Sequence, residues 1–283
     1  MKIRGGMNIQ KFWITIVIVC CIIGTFAGAR AGELNAFKDI KGVIKIAGGT
    51  AHIPVMQEAA KRIIGFNPDI QITIAGGGSG VGIKQVGEGL VDIGNSGRKP
   101  TDEEINKYNL TMHKWAVDGV GIIVNPHNTV KELTKEQVSN IFSGKINNWK
   151  QVGGEDREIN LYTRDVSSGT RDVFWKEALD KGEISSKANF IASNGAMKTA
   201  ISQDPYGIGY ISVGHIDETV SAVSFNSISP TLENVREGKY TIARGLYSNT
   251  KGKPYELTEK FINFLYTPEG QKIIESKGFI PIK

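Results

Sequence analysis

Short apolar runs and amphipathic stretches alternate along most of the chain. Val43-Ile44-Lys45-Ile46 reads as a strand, followed by Gly48-Gly49-Thr50 and a helix from about Pro54 to Ile64 that Gly65, Asn67 and Pro68 stop. Ile70, Ile72 and Ile74 alternate with Gln71 and Thr73, the two-residue period of a half-buried strand. Gly76-Gly77-Gly78-Ser79-Gly80 comes next, then a helix through Ile83, Val86 and Leu90 and a short strand at Val91-Asp92-Ile93-Gly94. Strand, glycine turn, helix and strand, repeated, predict an α/β fold with a largely parallel sheet. A further apolar strand is predicted over 119–124, and helices over 134–141, 169–181, 196–202 and 258–276, the last broken at Thr267-Pro268. No Pro/Ser-rich linker interrupts the chain, so a division into two domains has to pass through ordered strands.

Residues 1–31 follow another pattern. Lys2, Arg4 and Lys11 precede an apolar run from Phe12 to Phe26, closed by Ala27-Gly28-Ala29-Arg30-Ala31. A basic head, a short apolar middle and an A-x-A tail predict an export signal cleaved after Ala31. A retained membrane anchor is the alternative, although a span normally needs about 20 apolar residues. Cleavage removes Cys20 and Cys21 and four basic residues, so 34 Lys+Arg against 29 Asp+Glu becomes 30 against 29, and the net charge drops from +5 to +1. A nearly neutral exported chain is a poor partner for nucleic acid. One without cysteine holds no cysteine-based zinc site or nucleophile.

Three segments place glycine and hydroxyl residues directly before a helix: Gly48-Gly49-Thr50-Ala51, Gly77-Gly78-Ser79-Gly80 and Ser167-Ser168-Gly169-Thr170. A helix start presents unpaired N–H groups and the positive end of the macrodipole, glycine lets a ligand approach the backbone, and Ser or Thr adds a donor. Elsewhere, Thr101-Asp102-Glu103-Glu104 and Thr134-Lys135-Glu136-Gln137 are capping boxes in which the helix satisfies itself. The helices after Thr50 and Ser79 carry no acidic residue in the first turn, which leaves their positive ends to a visiting anion, whereas Asp172 follows closely on Thr170. Plain glycine-rich turns are the structural alternative. Arg164, four residues before Ser168, offers a forked cation to an oxyanion, or else a surface ion pair with Asp165.

Catalytic signatures are missing. The sequence contains no G-x-S-x-G elbow, H-E-x-x-H, Walker A or G-x-G-x-x-G, and Ser96-Gly97-Arg98-Lys99 matches S-x-x-K without its companion motifs. His52, His113, His127 and His215 lack metal-ligand spacing and read as surface or satisfied core residues, and Trp115, Trp149 and Trp175 read as core. No catalytic residue, metal or cofactor is expected. An exported serine hydrolase or phosphatase using Ser79 or Ser168 is the competing class, and it has no base at motif level.

Taken in order, Gly48-Gly49-Thr50, Ala75 to Gly82, Val91 to Ser96, Ile141 to Trp149, Arg164 through Arg171 and Gly207-Ile208-Gly209-Tyr210 span the mature chain. This set resembles the periplasmic phosphate-binding proteins that serve ABC importers. The resemblance implies two α/β domains, each a mixed, mostly parallel sheet flanked by helices, with phosphate in the cleft between them. By position these are 32–118 plus 243–283 and 119–242, with crossings near 117–121 and 240–244. It also implies a periplasmic monomer that hands phosphate to a membrane permease. Carried over by motif, Thr50, Ser79, Ser168 and Thr170 supply hydroxyls, Ala51 and Gly169 amides, and Arg164 the charge. Well-described members have an acceptor Asp where this chain has Gly97, followed by Arg98. Another tetrahedral oxyanion such as sulfate or arsenate, or a sensing role, therefore stays open.

Overall fold

The isoleucine-rich runs form strands, and a helix follows each glycine turn. The computed structural model describes residues 32–282, and the expected export signal over 1–31 lies outside them. In chain order the strands are β1 (Gly42–Gly48), β2 (Ile70–Gly77), β3 (Ile93–Ser96), β4 (Leu110–Val124), β5 (Glu132–Leu133), β6 (Asn160–Thr163), β7 (Asn189–Phe190), β8 (Gly207–Ser212), β9 (Ser221–Phe225), β10 (Ala243–Lys251) and β11 (Ile280–Pro281). The helices are α1 (Ile53–Phe66), α2 (Ser79–Gly87), α3 (Asp102–Tyr108), α4 (Lys135–Phe142), α5 (Gly169–Glu177), α6 (Asn194–Gln203), α7 (Leu232–Arg236), α8 (Glu256–Phe264) and α9 (Pro268–Ser276). Among the described residues no helix is long and apolar enough to cross a membrane.

The strands run β2-β1-β3-β10-β4-β8-β6-β7, with β9 and β11 also on β4 and β5 on β9. Pairing is parallel in the outer parts that the strand–turn–helix units build: β1 with β2 and β3, β6 with β7 and β8, and β5 with β9. It is antiparallel along the centre, where the long β4 meets β8, β9, β10 and β11, and β10 meets β3.

The apolar interior forms two main clusters. One gathers around Phe142, Phe174 and Tyr210 and draws on residues from Val120 to Ile242. The other gathers around Trp115, Phe261 and Phe279 and draws on Phe37 to Ala116 and Leu246 to Phe279. The chain passes between them twice. On β4, Trp115 and Ala116 belong to the second cluster and Val120 to the first, while Ile242 belongs to the first and Leu246 of β10 to the second. The register at this passage sets Asp118 opposite Arg244 and Gly119 opposite Ala243.

Several boundaries differ from the sequence reading, each for a local reason. Helix α2 ends at Gly87 because Gly89 turns with φ 74°, which leaves Leu90 59% exposed rather than on a buried helical face. Helix α5 ends at Glu177 rather than continuing to 181, because Asp180 and Lys181 take left-handed φ of 47° and 61° ahead of Gly182. Strand β3 starts at Ile93. Strand β4 starts at Leu110 rather than 119; His113, Lys114 and Asp118 interrupt the apolar pattern of its first half and so mask it in the sequence.

Candidate functional site

The three glycine-led helix starts meet. One cavity is lined by Thr50, Ala51, Ser79, Gly97, Arg164, Ser168, Gly169 and Thr170, all of them expected from the sequence, together with Gly49, His52, Gly78 and Arg244. The cavity is small, with space on the order of one water, which suits a small ion and not a sugar phosphate.

Capping follows the contrast in the sequence. Thr101 with Glu104 and Thr134 with Gln137 form complete capping boxes on α3 and α4. Helices α1 and α2 have neither a side-chain cap bond nor an acidic residue in the first turn. On α5 the Ser168 hydroxyl accepts from the Arg171 amide at 3.2 Å, and Asp172 turns away to Lys176 at 2.8 Å. The turn into α1 is tight. A Cβ on Gly48 (φ 122°) would stand 2.3 Å from the Asn95 carbonyl oxygen, so glycine is required there.

All four hydroxyl oxygens of the cavity accept a hydrogen bond from a protein N–H. Ser79 Oγ takes the Gly97 amide (2.9 Å), Thr50 Oγ1 takes both nitrogens of Asn194 (3.3 and 3.0 Å), Thr170 Oγ1 takes Arg244 Nη1 (2.9 Å), and Ser168 takes Arg171 as above. A hydroxyl has one hydrogen and two lone pairs, so each is left with its hydrogen to donate. The lining is therefore dominated by donors, and its only charged side chains are the guanidiniums of Arg164 and Arg244.

Arg164 is 1% exposed and makes no ion pair with Asp165, whose carboxylate accepts from Ser167 instead. Its Nη2 donates to the Ala192 carbonyl at 3.0 Å, while Nε and Nη1 are buried without a partner among the described residues. The backbone is fixed from behind. The Arg164 amide donates to the Tyr210 hydroxyl at 3.1 Å, and the Tyr210 ring stacks on Phe174 at 4.1 Å. Burial and the charge of Arg244 push the Arg164 guanidinium below its ordinary value, but arginine starts so high that it stays a cation.

Arg244 and Asp118 escaped the sequence reading. Nε and Nη2 of Arg244 donate to Asp118 Oδ2 at 2.9 and 2.7 Å, and Ser212 Oγ donates to Oδ1 at 3.0 Å. Burial pushes the Asp118 carboxyl up, and Arg244 and Ser212 oppose that push. A lone acid and a lone base flanked by glycine inside strand patterns were the only signal available. Gly97 lines the cavity, but its amide is taken by Ser79. Arg98 is not in the lining: it forks onto Glu104, with both nitrogens at 2.7 Å. Trp175 is half-buried, with its indole N–H on the Gly182 carbonyl at 2.8 Å.

The histidine expectation fails at His52. Rather than a satisfied core ring, it is buried with Nε2 unpartnered among the described residues, as is Nε2 of His215. Burial, with Arg244 adding to it, holds His52 down to about 3 and His215 to about 4. The unfolded imidazoles take up protons near pH 6.5 and the folded ones do not. Stability is therefore full above pH 7 and falls as pH drops from 6.5 toward 4. At about 1.4 kcal/mol per unit and group, urea unfolding is expected to show a loss of about 2–4 kcal/mol between pH 7 and pH 5. His52→Gln should show a shallower slope; equal stability of the unaltered protein at both pH values contradicts the assignment.

The profile of the PBP superfamily domain matches residues 30–269. The phosphate-binding protein PstS of Bacillus subtilis is 35% identical over 98% of this chain and 93% of its own length, and the PstS of Borreliella burgdorferi is 32% identical over 87% and 92%. A Clostridium perfringens structure, assigned as a phosphate ABC transporter substrate-binding protein with bound phosphate, superimposes with TM-score 0.81 at 33% identity, covering 86% of this chain and all of that one. An ABC-type phosphate transport receptor from Vibrio cholerae follows at TM-score 0.69 and 33% identity, over 84% of this chain and 99% of its own. The chain thus belongs to the PBP superfamily, and within it to the family of the phosphate-binding protein PstS.

Proposed function

We propose that this protein captures inorganic phosphate in the cavity and delivers it to the permease of an ABC importer. In this reading Thr50, Ser79, Ser168 and Thr170 donate hydroxyls, Ala51, Gly169 and Thr170 donate helix-start amides, Arg164 meets the charge, and Gly97 lines the ligand's cavity. The observation that carries it is the donor set: four hydroxyl oxygens already occupied by protein N–H groups, beside a buried guanidinium with two unpaired nitrogens. Such a lining solvates an anion and repels a cation. Charge-assisted hydrogen bonds net roughly 1.5–3 kcal/mol each, so a few supply the ~8 kcal/mol of a micromolar site.

Capture proceeds by hinge closure between a lobe of 32–118 plus 243–283 and a lobe of 119–242, with the two strand crossings as the hinge. The protein works as an exported, periplasmic monomer after cleavage behind Ala31. No proton is transferred and no bond is broken. The proton of monohydrogen phosphate needs an acceptor, and the second lone pair of a Ser or Thr oxygen supplies one without a carboxylate at position 97.

Calorimetric titration with phosphate, sulfate, arsenate and molybdate over pH 5–9 tests this reading. Phosphate is expected to bind with a micromolar or lower Kd and to displace sulfate throughout. Equal affinity for sulfate would make the protein a general tetraoxo-dianion carrier, and heat from none of these ions would end the proposal. Hydrolysis of a chromogenic phosphate ester by the purified protein would favour the enzyme class instead.

A further inference from the structure

Resting on the proposed phosphate site, we infer that Arg244 is a second guanidinium of that site, aimed into it by Asp118 from the neighbouring strand. Three observations converge. Arg244 lines the cavity although it belongs to β10, and it is 7% exposed. Its Nε and Nη2 are both committed to Asp118 Oδ2, so the plane of the fork is fixed and Nη1 is the nitrogen left facing the site. That nitrogen donates to Thr170 Oγ1 at 2.9 Å and only weakly, at 3.4 Å, to the Gly97 carbonyl. The long second bond is the one an anion oxygen replaces.

The glycine at 97 fits this assignment. A Cβ there would stand 2.8 Å from Arg244 Nη1 and 3.1 Å from its Cζ. Arg244 thus occupies the space that a side chain at 97 would need, and the carboxylate belonging to this corner sits behind the arginine, as Asp118, instead of in front of the ligand. Asp118 is a positioning residue, fully buried, with its other oxygen held by Ser212. Its charge offsets that of Arg244, so a phosphate dianion meets one uncompensated cation, Arg164, and one oriented, partly neutralised fork. The pair also stands where β4 and β10 pass between the two apolar clusters, with Thr170 on the far side. An anion on Nη1 therefore contacts the strand crossing directly.

The purely structural alternative is that Arg244 serves only to neutralise Asp118. Phosphate calorimetry and thermal unfolding of the purified protein and of Arg244→Gln, Arg244→Lys and the double variant Asp118→Asn/Arg244→Gln separate the two. Arg244→Gln is expected to bind phosphate roughly 10–100-fold more weakly, the worth of one charge-assisted contact. In the double variant the buried charge is gone with its partner, so the unfolding midpoint should return close to that of the unaltered protein while the affinity stays low. Recovery of full affinity there overturns the assignment and leaves the phosphate reading standing. Should the double variant fold poorly, Arg244→Lys decides. One ammonium cannot serve both Asp118 and the ligand, so about a tenfold loss is expected, and unchanged affinity overturns the claim. An unaltered protein that binds no phosphate overturns both readings.

Discussion

Arg164→Ala is expected to cost about 3–5 kcal/mol of phosphate binding, the range for removing one partner of a buried charged contact, or roughly 150- to 5,000-fold in Kd. The size follows from the surroundings. At 1% exposure no water replaces the guanidinium, and among the described residues no other cation in the lining is free of a carboxylate, since Arg244 is tied to Asp118. The same substitution should not weaken the fold. The side chain makes one hydrogen bond, to Ala192, and buries two unpaired nitrogens, and an unsatisfied buried donor costs about 1–3 kcal/mol. The ligand-free alanine variant is therefore expected to unfold at or above the temperature of the unaltered protein. Such a trade of stability for function separates a binding residue from a structural one. Calorimetry giving the same phosphate affinity with and without Arg164 contradicts the proposed site.

The candidate site was legible where its chemistry is written in consecutive residues. Gly48 to Ala51, Gly77 to Gly80 and Ser167 to Thr170 each carry glycine, hydroxyl and helix start together, and the contrast with the boxes at Thr101 and Thr134 reappears in the caps. What the sequence hid depends on register or on one or two residues at a boundary. Asp118 and Arg244 meet only because β4 and β10 pair antiparallel at one offset, across 126 positions of chain. Asn194 lies two residues before the helix predicted over 196–202, yet it is the residue whose backbone and side chain both donate to Thr50, while its Oδ1 accepts from the Ser212 amide at 3.0 Å. Arg98 looked equivalent to a site residue by position and is drawn off by Glu104, itself the last member of a capping box. Local pattern reports donors, and long-range pairing decides which of them are free.

On the proposed hinge closure, Gly169→Ala should weaken phosphate binding while sparing the fold, because its clash then exists only when the two sides of the cavity are together. A Cβ on Gly169 would stand 2.1 Å from Ser79 Oγ and 3.1 Å from the Gly97 carbonyl carbon. Ser79 cannot yield cheaply, since its oxygen holds the Gly97 amide at 2.9 Å. Gly169 and Ser79 begin helices that feed different apolar clusters, α5 contributing Val173 and Phe174 to one and α2 contributing Ile83 and Val86 to a smaller one with Leu110. The strain can therefore be relieved by keeping the two sides apart. Overpacking typically costs about 1–3 kcal/mol. Charged to the closed form alone, that becomes a roughly 5- to 150-fold rise in Kd, with an unchanged unfolding midpoint for the ligand-free protein and a smaller upward shift when phosphate is added. Gly195→Ala is the matched control in the first turn of α6. Its added Cβ meets only Ser193 Oγ, at 4.0 Å, so phosphate affinity should stay as it is. If the two alanines behave alike, contact between Ser79 and Gly169 is not part of ligand capture.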